Sequence, residues 1–304
     1  MIVAAGLTPA WQQILLFETF TLGAVNRAVE AHWCASGKVL NAGLALHHLG
    51  GPCKTLCVAG GPGGDAIRRE FQQFGVLARW VESAAPTRVC TTILDRQTST
   101  ELVENARELP SAEQDAFVAA FAEEAASASL VVLSGSLPAG TPPDFYHRLL
   151  VRTRARAVLD IRGEELLHTL SEKPFLVKPN REELGRTVGR ALRTEAELFE
   201  AMQELNQRGA EWVVITDGKN PLHASSKEQL YRVLPLTHPV VNPIGCGDCL
   251  AAGIAWATDK GLEPVEAIRY GVAAAADNLG QLLPARLDPA RVEALARKVE
   301  VVRL

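Results

Sequence analysis

Residues 2–6 (IVAAG) are an unbroken apolar run and predict a short buried strand. Residues 11–20 and 27–33 are extended candidates, with Gly23 in the turn between them. In the second stretch Val29, Ala31 and Trp33 alternate with Ala28, Glu30 and His32, the two-residue period of a strand. From Lys38 the period changes. Val39, Ala42, Leu46 and Leu49 lie on one helical face, and Gly50-Gly51-Pro52 ends it. Residues 56–60 read as a strand, followed by the glycine-rich turn GGPGGD and a helix to about Phe74. Residues 76–82 form another strand, and 88–95 with 100–104 interleave polar and apolar positions as a β-hairpin does. A helix is expected over 111–126. The apolar runs 130–135, 155–160, 174–179 and 211–218 then read as buried parallel strands with helical stretches between them. The last helices are predicted at 247–259, 264–279 and 289–299. Pro264 occupies a first-turn position, and Val265, Ile268, Val272, Ala275 and Leu279 form the buried stripe of the middle one.

This alternation predicts an α/β fold, a three-layer α/β/α arrangement around a mostly parallel sheet. The segments at about 10–35 and 86–105 do not fit it and are assigned to a small β-sheet lid. No linker composition interrupts residues 1–304, so one domain with a lid is expected. Composition agrees: 47% hydrophobic and 22% charged residues exclude a disordered chain. The net charge of −4 argues against a nucleic-acid partner. No apolar run approaches the ~18 residues of a membrane span, and the first residues lack a basic signal-peptide region. Six cysteines are too few for a disulfide scaffold of this length, which points to reduced thiols in the cytoplasm.

The chemistry concentrates in Asn242-Pro243-Ile244-Gly245-Cys246-Gly247-Asp248-Cys249. Glycines flanking Cys246 at a helix start let backbone N–H groups converge into an anion nest. Asp248 beside it could take a proton from an attacking hydroxyl while the nest holds a phosphoryl group in transit. The same residues also suit a tight loop with Asp248 as a helix cap.

GCGDCLAAG resembles the G-x-G-D signature of the ribokinase (PfkB) superfamily of sugar kinases. LTPA (7–10), GAVNRA (23–28), SGKVLNAGLALHHLGG (36–51), LSGSLPAGTPPDFY (133–146) and VKPNREEL (177–184) resemble further elements of that superfamily in the right order. They favour its branch of 1-phosphofructokinase and tagatose-6-phosphate kinase. The resemblance implies a ribokinase-like fold, ATP as donor, Mg²⁺ as metal and a sugar hydroxyl as acceptor. A ketohexose phosphate such as fructose 1-phosphate, tagatose 6-phosphate or fructose 6-phosphate is the expected acceptor. It implies Asp248 as general base, with Gly245, Cys246 and Gly247 as the anion hole. Asn180 and Glu183 would organise Mg²⁺ through water, and Lys178, Asn180, Thr216, Gly218 and Asn278 would face the nucleotide. Gln12, Arg27, Gly37, Lys38, Asn41, Arg88 and Ser136 would face the acceptor. Asp160 matches an acid of this branch and is given no role. Arg27, Lys38 and Arg88 match basic positions that grip a substrate phosphate, where Arg can pair bidentately. The lid also offers a surface for a homodimer.

Two departures fall on the acceptor side. Gln12 stands where the family has a carboxylate, and Ser36-Gly37-Lys38-Val39 has lost two of three glycines. A kinase of a free sugar or nucleoside, or a non-catalytic sensor of sugar phosphates, are the alternatives. Asn180 and Glu183 also read as a helix cap. Gly61-x-Gly63-x-x-Ala66 is a relaxed dinucleotide fingerprint in a poor context, and Cys246-x-x-Cys249 a weak redox or zinc pattern. A helix N-terminus would lower the Cys246 thiol and make it oxidation-sensitive. No histidine or serine pattern supports a hydrolase.

Overall fold

The computed structural model describes residues 1–96 and 98–304; Gln97, inside the predicted hairpin, lies outside the described residues. In chain order the first elements are β1 (Ile2–Gly6), β2 (Ala10–Leu16), β3 (Glu30–Ser36), α1 (Lys38–His48), β4 (Cys53–Ala59) and α2 (Gly61–Gln73). Next come β5 (Ala78–Glu82), β6 (Arg88–Leu94), β7 (Ser99–Val103), α3 (Ser111–Ala125), β8 (Leu130–Ser134) and α4 (Phe145–Leu150). The middle of the chain contains β9 (Arg156–Asp160), α5 (Gly163–Thr169), β10 (Leu176–Val177), α6 (Arg181–Thr187), α7 (Glu195–Arg208) and β11 (Trp212–Ile215). The chain closes with β12 (Leu222–Ser225), β13 (Leu230–Val233), α8 (Cys246–Asp259), α9 (Pro264–Leu279), α10 (Pro289–Ala296) and β14 (Val301–Arg303).

Among the described residues the large sheet has ten strands in the order β14-β13-β12-β11-β10-β9-β8-β1-β4-β5. It is parallel from β5 through β11, and β12–β14 add an antiparallel edge. The central strands are apolar on both faces, because both are covered by helices. Ile2, Ala4, Val132, Val158 and Val214 pack on the side of α1, α8 and α9. Val3, Ala5, Val131, Leu159 and Val213 pack on the opposite side, with Phe117, Phe121, Leu198 and Met202 of α3 and α7. The two-residue alternation along each strand thus divides one sheet between two cores. Helices α8 and α9 approach closely because both carry glycine at the crossing. A Cβ on Gly253 would lie 2.9 Å from the Gly271 Cα.

The second sheet has the order β3-β2-β6-β7, with β2 and β6 parallel and the outer pairs antiparallel. It is built from the two predicted segments. Two expectations change. The residues read as a glycine-rich turn, GGPGGD, are mostly the first turn of α2, where Pro62 suits a position whose N–H has no helical partner. The edge strands β12, β13 and β14 escape the reading because they are three or four residues long, too short for a period, and β13 and β14 are largely exposed or part-exposed. No helix among the described residues is long and apolar enough to cross a membrane.

Candidate active site

The carboxyl ends of the parallel strands meet the small sheet at a cavity of about 360 Å³. Open α/β sheets bind ligands at this end, where loops leave the strands and helices start. Asp160 closes β9, Lys178 follows β10, and Thr216 follows β11, bridged in parallel to Asn180. Lys38 opens α1, and Asp248 lies in the first turn of α8.

The buried charges here form one network. Asp160 is 1% exposed and lies 3.0 Å from the Lys38 ammonium and 3.3 Å from that of Lys178. Burial alone would raise its carboxyl, but Lys178 and Lys38 outweigh burial and hold it below the usual carboxylate range. Burial also disfavours the charged form of Lys38, yet Asp160, Glu183 and Asp248 together raise it above the usual lysine range. Asp248 is pushed up to about 6, first by burial and then by the negative charge of Asp160. Lys38, the Asn41 hydrogen bond and Lys178 limit that rise. The Asn41 Nδ2 donates to Asp248 Oδ2 at 2.7 Å, which fixes the carboxylate's orientation.

Gly245 precedes α8 at φ +79°, a conformation that disfavours a side chain. A Cβ there would also lie 3.1 Å from Pro284 Cβ and 3.3 Å from Asn41 Nδ2. Gly247 and Thr216 line both this cavity and a second one of about 530 Å³. The second cavity is apolar, walled by Leu236, Val240, Leu250, Val272 and Leu279, with the Thr216–Asn220 turn at its rim. The Gly245–Gly247 segment therefore stands between a polar chamber and an apolar one.

The expected residues divide. Gln12, Gly37, Lys38, Asn41, Arg88, Lys178, Asn180, Glu183, Thr216, Gly245, Gly247 and Asp248 all line the polar cavity. Gly218 and Cys246 line the apolar one. Arg27 lies outside both, exposed on the connection from β2 to β3. Ser136 is also exposed and lines neither, since Gly135 at φ +102° turns the chain after β8. Asn278 is buried, lines neither cavity and faces the loop before α8. Its Nδ2 donates to the Ile244 carbonyl at 2.8 Å and to Cys246 Sγ at 3.3 Å. Burial pushes the Cys246 thiol up to about 11, against the lowering expected from a helix start. Arg88 donates to the carbonyls of Pro9, Glu104 and Thr8, so it clamps the small sheet to the segment after β1.

Gln12 donates through Nε2 to Thr92 Oγ1 at 2.8 Å and to the Gln13 carbonyl at 3.3 Å. A carbonyl can only accept, which fixes the amide's orientation and leaves Oε1 as the free acceptor. Asp160, without an assigned role from sequence, is the hub of the charged network; its signal was an acid ending a buried apolar strand. Glu101 of β7 also lines the polar cavity, with no sequence signal that distinguished it.

Asn180 and Glu183 form a complete capping box for α6. Asn180 Oδ1 accepts from Glu183 N at 2.8 Å, and Glu183 Oε2 accepts from Asn180 N at 3.0 Å. Glu183 Oε1 is 3.1 Å from Arg162 and 3.9 Å from Lys38. These bonds engage oxygens that direct coordination of Mg²⁺ would need, whereas the expected contact through bound water does not need them, and both residues line the polar cavity. The described residues hold no cluster of three or more His, Cys, Asp or Glu able to hold a metal ion.

A small sheet thus lies over a polar chamber at one end of a three-layer α/β fold, and a glycine segment separates that chamber from an apolar one. The sequence profile described as pfkB family carbohydrate kinase matches residues 14–286, and the chain belongs to that family. Solved structures agree in fold. A possible 1-phosphofructokinase from Thermotoga maritima superposes with a TM-score of 0.91 at 19% identity, covering 100% of this chain and 99% of that one. Phosphofructokinase-2 from Escherichia coli, in complex with substrates and products, gives 0.89 at 24% identity, covering 98% of each chain.

Proposed function

We propose that this enzyme transfers the terminal phosphoryl group of ATP to a hydroxyl of a ketohexose phosphate. The observation that carries the reading is Asp248, a buried carboxylate held by Asn41 beside the glycine segment that separates the two cavities. The apolar chamber suits a purine ring, and the polar chamber suits a sugar. In the proposed reaction Asp248 takes the proton of the acceptor hydroxyl as its oxygen bonds to phosphorus. The bond to the leaving nucleoside diphosphate breaks, while amides of Gly245, Cys246 and Gly247 hold the charge of the transferring group. Lys178 and Lys38 add positive charge on the same side.

The acceptor class rests on Lys38 and Arg88, both on the polar cavity. Gln12 suits it too, because an amide removes one negative charge from a chamber that already contains Glu101, Asp160, Glu183 and Asp248. A second reading, an unphosphorylated sugar, is favoured by the partners those cations already have: Asp160 for Lys38, and three carbonyls for Arg88. ADP release measured across free and phosphorylated ketohexoses and nucleosides separates the two. We expect Arg88→Met to raise KM about tenfold for a phosphosugar and to leave KM for any free sugar within twofold. Equal changes for both acceptors would remove Arg88 as a phosphate contact.

A pH profile offers a second check. A base must be deprotonated to act, and Asp248 sits near 6. The kcat/KM value should therefore be flat above about pH 7 and fall tenfold per pH unit below about 6. A profile flat down to pH 4.5 would exclude a base in this environment. A homodimer belongs to the same proposal. Leu22, Val25, Val29 and Trp33 are exposed apolar side chains on β3 and the loop before it, a surface that a second copy would cover. Sedimentation at micromolar concentration tests it.

A further inference from the structure

The glycine segment is braced from behind by a chain of contacts that begins in the small sheet. The Ala35 N–H, at the end of β3, donates to Glu70 Oε2 of α2 at 2.5 Å. The other oxygen of Glu70 pairs with Arg286, and both side chains are nearly buried, at 12% and 13% exposure. Arg286 also donates to the Pro284 carbonyl at 3.1 Å, and its guanidinium stacks 4.8 Å from the Phe74 ring centroid. Pro284 is the residue a Cβ on Gly245 would strike. Between Pro284 and Arg286, Ala285 is fully buried at φ +62°. That conformation is unfavourable for alanine and persists only where neighbours over-determine it. Its N–H donates to Asn278 Oδ1 at 2.7 Å, and Asn278 in turn holds Ile244 and Cys246.

We propose that the Glu70–Arg286 pair positions the Gly245–Gly247 segment for phosphoryl transfer by tying its Pro284–Ala285 support to the end of β3. Ser36, Gly37 and Lys38 follow Ala35 directly and line the acceptor cavity. The acceptor and the transferring phosphoryl group are thereby referred to one rigid frame. Neither side chain lines the polar or the apolar cavity, so both act through the segment they hold. The inference rests on the proposed role of that segment as the anion site.

The test compares Glu70→Gln, Arg286→Met, their double variant and Arg286→Lys with the unaltered enzyme. Glu70→Gln can still accept from Ala35 N but loses the charge that fixes Arg286. We expect kcat to fall ten- to a hundredfold in each of the first two, about what a small misplacement of catalytic groups produces. KM for ATP should stay within twofold. The double variant should be no worse than the poorer single one, because the two residues act as one unit. Arg286→Lys should recover part of the rate.

A second readout does not depend on turnover. Cys246 is the only part-exposed thiol among the six, and it is tied to Asn278. Its labelling by a disulfide reagent, mapped by mass spectrometry, should quicken about tenfold in Glu70→Gln while the five buried thiols stay slow. Unchanged Cys246 labelling with kcat within twofold of the unaltered enzyme would overturn the proposal. So would a loss of kcat matched by uniform labelling of all six thiols, since that indicates general destabilisation. If Asp248→Asn abolishes turnover and Glu70→Gln does not, the brace fails alone. If Asp248→Asn retains turnover, the reading beneath it fails.

Discussion

Asp248→Asn is expected to lower kcat by about 10³-fold, within the range general-base removal produces, while ADP affinity measured by calorimetry stays within twofold. The substitution preserves shape, and an amide oxygen can still accept from Asn41, so the helix start and its glycine segment should be undisturbed. The apolar chamber lies on the other side of that segment, which is why nucleotide binding should survive. What is lost is the proposed proton acceptor, a carboxyl that burial and Asp160 raise to about 6. A carboxylate with this basicity is ionised at neutral pH yet a better base than a solvated aspartate. A variant with kcat within tenfold of the unaltered enzyme would end the assignment of Asp248 as base.

The second large effect is expected at Asp160. Asp160→Asn removes the shared partner of two ammonium groups, of which Lys178 is only 4% exposed. Breaking a buried pair from one side leaves an uncompensated charge, and the expected loss of folding stability is about 3–5 kcal/mol. Denaturant unfolding should show it as a lower midpoint at unchanged slope. The acid limb of kcat/KM should also move. Asp160 raises the basicity of Asp248 by like-charge repulsion, and it engages the two lysines that lower it. Removing it acts in one direction through both routes, so the limb should shift below pH 6. A limb that stays in place, or a loss of stability under 1 kcal/mol, would show that the lysines find other partners.

Lys38 shows how the two kinds of information combine. Its place at a helix start was legible from the change of period after it. Its pairing with Asp160, 122 residues later, was not. Asn41 and Asp248 are 207 residues apart, and their hydrogen bond gives the proposed base its orientation. Asn180 and Glu183 read both as a pair that organises a metal through water and as a cap; their reciprocal bonds to each other's backbone are the cap, which leaves the first reading open. The resemblance places Asn278 toward the nucleotide; in the fold its amide holds the loop before α8 and touches Cys246, which lines the apolar cavity.

The sequence by itself determined the alternation of strand and helix, the two insertions that become the small sheet, and the place of Gly245–Asp248 at a helix start. These follow from local periodicity and backbone preference, which each segment carries within its own residues. The tertiary structure alone decided which acceptor-side residues share a cavity, why Arg27 and Ser136 do not, and how basic Asp248 becomes. Burial and the distance between charges are properties of pairs, and the pairs that matter here are brought together only when the sheet closes.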